Sequence, residues 1–207
     1  MTRSHPGRPA RINREMIEKA VIEVGFDRVS TTSVARHLGV EQSSLYRHIN
    51  SRRGLLLAAI SRVVDDTDFV IDHSSWREYL REIAERVWVM LNSHPGMAGV
   101  IFELDSPPPE QTSSLTATAV EVLIDYGFNP RQALLILETI LDITCSSIHK
   151  LEHADEHMHN TPAGQWEPAT GRQLDSNAFG AMRADHYQWW SDRIDITLDG
   201  AAAQLTR

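Results

Sequence analysis

Gln42, Ser43, Ser44, Tyr46, Arg47 and His48 crowd into one short run around the apolar Leu45. Their side chains are short or polar hydrogen-bonders, the types that meet base edges and phosphates. A glutamine can pair bidentately with adenine, an interaction worth about 1–3 kcal/mol against the wrong base. Just downstream, Ser51-Arg52-Arg53 sets two guanidinium groups at what reads as a helix start. Cations there oppose the helix macrodipole by roughly 0.3–1 kcal/mol each. A bound phosphate reverses that conflict, because free amides and guanidinium groups can face the same anion. Taken alone, solvated arginines are the plainer reading.

A second run could hold a metal. His149, His153, His157 and His159 lie among Glu152 and Glu156. The four-residue steps put three imidazoles on one helix face, a donor set suited to zinc or copper. His153-x-x-Glu156-His157 also has the H-x-x-E-H order of inverted zinc peptidases. A third ligand is wanting, since Glu167 is the only later glutamate and lies in a stretch of loop-like composition. Histidines on solvated helix ends are common without metal. No metal site, catalytic residue or cofactor is therefore assigned; a metal-binding sensor or zinc hydrolase built on His149–His159 stands as the alternative reading. Phosphate-binding glycine loops, G-x-S-x-G elbows and CxxC pairs do not occur.

The elements that must position these residues read as helices throughout. Asn13 can cap a helix with Met16, Ile17, Ala20, Val21 and Val24 on its apolar face. Gly25 ends it. Ser30 or Thr31 opens a short helix carrying Val34, Ala35 and Leu38. Gly39 suits a tight turn needing positive φ, and small Ala35 lets two helices meet steeply. Glu41 to His48 is predicted as a third helix, and Ser51 caps a fourth carrying Leu55, Leu56, Ala59, Ile60, Val63 and Val64. Later come a Ser75-x-x-Glu78 capping box over Trp76, Leu80, Ile83, Val87, Trp88 and Leu91, and a stop at His94-Pro95-Gly96. A helix from about Glu110 to Tyr126 follows. Asn129-Pro130 starts another, apolar on two faces, which must be covered on two sides. Residues 160–174 read as a loop. The last helix spaces Tyr187, Trp190, Ile194, Leu198, Ala201 and Leu205 at near-heptad steps. Strand alternation is not evident, so the fold class is all-α: a helix-turn-helix module joined to a larger helical domain.

Charge divides the chain in the same place. Residues 1–62 hold eleven Lys/Arg against five acids, whereas the remainder holds nine against twenty-three. A basic head of +6 on a body of −14 suits a polyanion at one end only. The expected organisation is a basic arm (1–12), a DNA-binding domain (13–62) and a body (63–207). One cysteine, Cys145, admits no internal disulfide and reads as a core thiol. The N-terminus lacks the apolar stretch of a secretory signal, and no run approaches the ~20 apolar residues of a membrane span. A cytoplasmic protein is expected.

LGVEQSSLYRHINSRRGLL resembles the recognition segment of the tetracycline repressor (TetR) family. The likeness is specific over residues 13–64 and weaker through SWREYL, YGFNPRQAL and WWSDRIDITLDGAAAQL, which resemble the body helices of the tetracycline-repressor branch. The resemblance implies a homodimer on near-palindromic double-stranded operator DNA, released when a small molecule binds the body. It implies operator contacts at Thr31, Gln42, Ser43, Ser44, Tyr46, His48 and Arg52. Thr32 stands where the tetracycline repressors carry arginine, which alters base preference there. Arg47 joins the set as an exposed neighbour. The implied dimer seam uses the helices around 131–153 and 185–205. The stretch matching the family's magnesium–tetracycline site reads VIFELDSPP, without histidine, and Lys150 falls where a glutamate is expected. A different, largely apolar effector is expected among Trp88, Leu91, Phe102, Leu123 and Ile140.

Overall fold

The computed structural model describes residues 12–104, 110–153 and 185–205, and every regular element among them is an α-helix. In order these are α1 (Arg14–Val24), α2 (Thr31–His37), α3 (Gln42–Leu45), α4 (Arg52–Asp66), α5 (Trp76–Asn92), α6 (Met97–Glu103), α7 (Glu110–Asp125), α8 (Pro130–Glu152) and α9 (His186–Leu205). The all-α expectation holds. Two compact units result. The head takes the described residues up to Asp66 together with those between His94 and Gln111; the body takes Thr67–Ser93 and the described residues from Thr112 onward. Sequence alone predicts one boundary between head and body, after residue 62, beside the arm at 1–12. Packing instead brings a later segment back into the head.

Head helices start where side chains can satisfy their free amides. Asn13 Oδ1 accepts from the Met16 amide at 2.8 Å. Ser30 and Ser33 exchange bonds, backbone to hydroxyl, at 2.8 and 2.9 Å. Ser51 Oγ accepts from the Gly54 amide at 3.1 Å. Such caps contribute about 1 kcal/mol each. α1 packs on α2 and α4. Ile17, Val21, Val34, Leu45 and Leu55 are wholly enclosed. Burying a large aliphatic side chain stabilises by about 1.5–3 kcal/mol, so each of these five adds on that order to the module. Met16, expected on the same strip, is 36% exposed. Arg62 on α4 meets Asp66 at 2.6 Å and Glu15 of α1 at 3.8 Å.

α6 contributes Met97, Ala98 and Val100 to the head core. Its entrance is close-packed. Gly96 has φ +84°, and a β-carbon there would lie 2.5 Å from the Asp27 amide nitrogen. Only glycine meets both the backbone sign and the space.

In the body, α8 packs on both α5 and α9. α8 buries Ile136, Leu137, Ile140, Thr144 and Ile148, and α9 answers with Trp190, Ile194, Leu198 and Ala201. The Trp190 indole donates to the Thr144 hydroxyl at 3.0 Å, which itself donates to the Ile140 carbonyl at 2.8 Å. A buried polar pair whose bonds are all made costs little. Arg81 and Arg77 of α5 pair with Asp195 and Asp199 of α9. Asn129 and Gln132 complete a reciprocal capping box at the start of α8. The box expected at Ser75 forms by half. Ser75 caps the Glu78 amide, but the Glu78 carboxylate turns to the Ser74 amide and hydroxyl, and those bonds hold it below its ordinary range. Trp76, expected to be buried, is partly exposed and meets Phe128 edge-on at 5.3 Å.

Candidate nucleic-acid interface

The joint between α2 and α3 builds the site. The Leu38 and Gly39 amides donate to the Val34 and Arg36 carbonyls, closing α2. Gly39 then takes φ +65°, and the Val40 amide returns to the Ala35 carbonyl at 3.0 Å. Ala35 is 4% exposed, so the crossing point is filled by a methyl group.

α3 is shorter than its sequence predicts. The helix runs only over Gln42–Leu45, and Tyr46–His48 form a turn. The Leu45 carbonyl accepts from both His48 and Ile49, at 2.8 and 3.0 Å, which tightens the last turn. Ile49 must also enter the core, 6% exposed, before Ser51 caps α4. Those two demands leave no room for a further helical turn.

The expected DNA-facing residues share one exposed tract of the head. Thr32, Gln42, Ser43, Tyr46, Arg47, His48 and Arg52 are exposed; Thr31 and Ser44 are partly covered. Leu45 alone of the run points inward, wholly buried. Two anchors have no signal in sequence spacing. Gln42 Nε2 donates to the Thr31 hydroxyl, eleven residues away. Arg52 Nε donates to the Val29 carbonyl at 3.1 Å, tying the guanidinium beside the start of α2. A third cross-link, His37 to Glu23 at 2.6 Å, braces the end of α2 against α1.

The residues expected around an effector divide. Leu91, Leu123 and Ile140 are wholly buried in the body, and Trp88 is 7% exposed. The Trp88 ring lies 4.5 Å from Trp190 and meets Tyr187 edge-on at 5.6 Å. Phe102 belongs to the head unit and is 52% exposed.

The histidine run divides too. α8 ends at Glu152, and His153 leaves the helical region with φ −110° and ψ 17°. The helix predicted to carry His149, His153 and His157 on one face therefore stops before the third. Glu156, His157 and His159 lie outside the described residues.

A polar, outward-facing short helix, held by a glycine turn against a capped partner, has the arrangement of a helix-turn-helix. Residues 17–59 match the sequence profile of the bacterial regulatory proteins, tetR family. Over 161 residues the chain is 27% identical to the class D tetracycline repressor protein of Escherichia coli, covering 74% of this chain and 73% of that one. It is 28% identical over 142 residues to an uncharacterised HTH-type transcriptional regulator of Mycobacterium tuberculosis, covering 61% and 64% of the two chains. Among solved structures, a TetR of Acinetobacter baumannii bound to minocycline superposes with TM-score 0.70 at 21% identity, over 91% of this chain and 96% of that one. ActR of Streptomyces coelicolor in complex with actinorhodin superposes with TM-score 0.72 at 16% identity, over 94% and 97%. Over its head the chain is thus similar to the tetR family of bacterial regulatory proteins, and the solved structures share its fold.

Proposed function

We propose that this regulator represses by binding a near-palindromic operator as a homodimer and lets go when a small molecule occupies its body. The observation that carries the DNA reading is the exposed tract Gln42, Ser43, Tyr46, Arg47 and His48 around a buried Leu45. The side chains of that tract meet bases and backbone, with Thr31, Thr32 and Ser44 at its edge and Arg52 on phosphate. Gln42 has a defined part. One of its Nε2 hydrogens is given to Thr31, which leaves one N–H and the Oε1 acceptor, the pair adenine's N7 and N6 amino group require.

The seam of the homodimer is formed by α8 and α9. Leu134 and Leu135 on α8 are 45% and 51% exposed, and Trp189 and Ile196 on α9 are 40% and 71% exposed. Helices left this apolar on a second face are covered by a partner. Half-sites then lie one turn of duplex apart, about 34–36 Å.

The effector is largely apolar and sits in the body beside Trp88, Leu91, Leu123 and Ile140, rather than on a magnesium–tetracycline site. VIFELDSPP contains no histidine and Lys150 is no metal ligand. Its binding favours a state with weaker operator affinity, through a coupling of about 1–3 kcal/mol. A binding-site selection on random duplex DNA, run at two salt concentrations, tests the whole reading. Enrichment of a two-fold symmetric site whose affinity falls steeply with salt is expected; enrichment of no duplex at low salt would refute it. Anhydrotetracycline with magnesium should leave the selected complex intact.

A further inference from the structure

We infer that the end of α8 is a binding site for one divalent transition-metal cation, held by His149, Glu152 and His153. A ring nitrogen of each histidine and a carboxylate oxygen of Glu152 all lie within 4.8 Å of one another. Zinc bonds of about 2.0–2.2 Å draw such donors to within about twice that distance. A tetrahedral arrangement brings them closer, to roughly 3.5 Å, which side-chain rotation at a helix end supplies. The donor set of two imidazoles and one carboxylate matches zinc, with water completing a tetrahedron.

A second observation orients the set. His153 Nδ1 lies 2.8 Å from the His149 carbonyl oxygen. A carbonyl can only accept, so Nδ1 carries the proton and Nε2 holds the lone pair. Hydrogen bonding of the far ring nitrogen to a backbone carbonyl is how metal-bound histidines are commonly fixed in tautomer and direction. The two rings already lie 4.4 Å apart, centre to centre. The site also occupies the last turn of a 23-residue helix, where the carbonyl ends of the peptide dipoles favour a cation. Lys150 is the one nearby cation on the same turn, and it is exposed between the ligands in sequence. The site uses none of the DNA-facing residues and stands independently of that reading.

The test is a calorimetric titration of the full chain, purified without a histidine tag, with zinc chloride. One equivalent per chain is expected to bind saturably at micromolar zinc. His149→Ala and His153→Ala should each weaken binding by about ten-fold or more. Glu152→Gln, at an exposed position, should weaken it as well. Zinc should raise the Tm of the unaltered chain and not that of the doubly substituted H149A/H153A chain. The absence of saturable uptake overturns the proposal. So does uptake unaltered in all three variants, or reduced equally by His37→Gln.

Discussion

Gln42 and Thr31 are joined side chain to side chain across the turn between α2 and α3, the carboxamide donating to the hydroxyl. This bond orients the carboxamide before any DNA arrives, so less rotamer freedom remains to be surrendered on binding. Gln42→Ala should lower affinity for the preferred operator by about 1–3 kcal/mol and flatten the preference at one base pair. Thr31→Val removes the hydroxyl that accepts from Gln42 while leaving the carboxamide, and should blur that same position less. Fluorescence titration against single-base variants of the operator reads both effects. An unchanged preference in Q42A would place the reading helix elsewhere.

Arg52 acts differently, because phosphate carries no sequence. Its Nε is already committed to the Val29 carbonyl, which holds the charge in place. Arg52→Ala should weaken all duplexes alike. The slope of log affinity against log salt should fall by about 0.9, the amount due to a single phosphate that is no longer neutralised. A slope identical to that of the unaltered chain would mean that Arg52 faces no phosphate.

Gly96 and Gly39 make a matched pair for stability. Both have positive φ, +84° and +65°. A β-carbon at Gly39 meets nothing within 4 Å, whereas at Gly96 it meets the Asp27 backbone at 2.5 Å. Gly39→Ala should cost only the left-handed backbone strain, about 1–2 kcal/mol. Gly96→Ala adds the displacement of Asp27, about 1–3 kcal/mol more. Urea unfolding separates the two; equal destabilisation would show that the Asp27 loop yields freely.

Ile196 is 71% exposed on α9, opposite the buried Ile194 and Leu198. Ile196→Glu should leave the single-chain fold and its Tm little changed while halving the mass seen by light scattering. Operator affinity should drop with it, since two half-sites can no longer be held at once. A dimer that survives this substitution and Leu135→Glu together uses a different face.

Cys145 supplies a pH dependence. Burial, with help from Asp142, pushes its thiol up to about 12 from an ordinary value of 9.0. Between those values the folded chain keeps a proton that the unfolded chain gives up. Stability must therefore fall as pH rises from about 9 toward 12. Cys145→Ala should remove that part of the slope in alkaline urea titrations. Thiol reagents at pH 8 should react slowly with the half-buried native thiol, and faster once the chain is unfolded.

Helix starts are legible in the sequence because a cap is a local device. Asn13, Ser30, Ser51, Ser75 and Asn129 each bond an amide three residues on, so the information lies within four residues of sequence. The turn at Gly39 and the outward run from Gln42 to His48 are readable for the same reason: a backbone sign and a polar–apolar alternation are short-range. The charge division between a +6 head and a −14 body needs no coordinates at all.

Long-range closure is not readable in that way. Spacings of eleven and twenty-three residues join Gln42 to Thr31 and Arg52 to Val29. Gly96 packs against Asp27, and α6 with Phe102 falls in the head unit, where no local spacing would place it. The early ends of α3 and α8 follow from Ile49 entering the core and from His153 leaving the helical region. Periodicity assigns a residue to a face of its own helix. Which distant backbone comes to rest on that face depends on how whole helices pack, and no window of neighbouring residues encodes it.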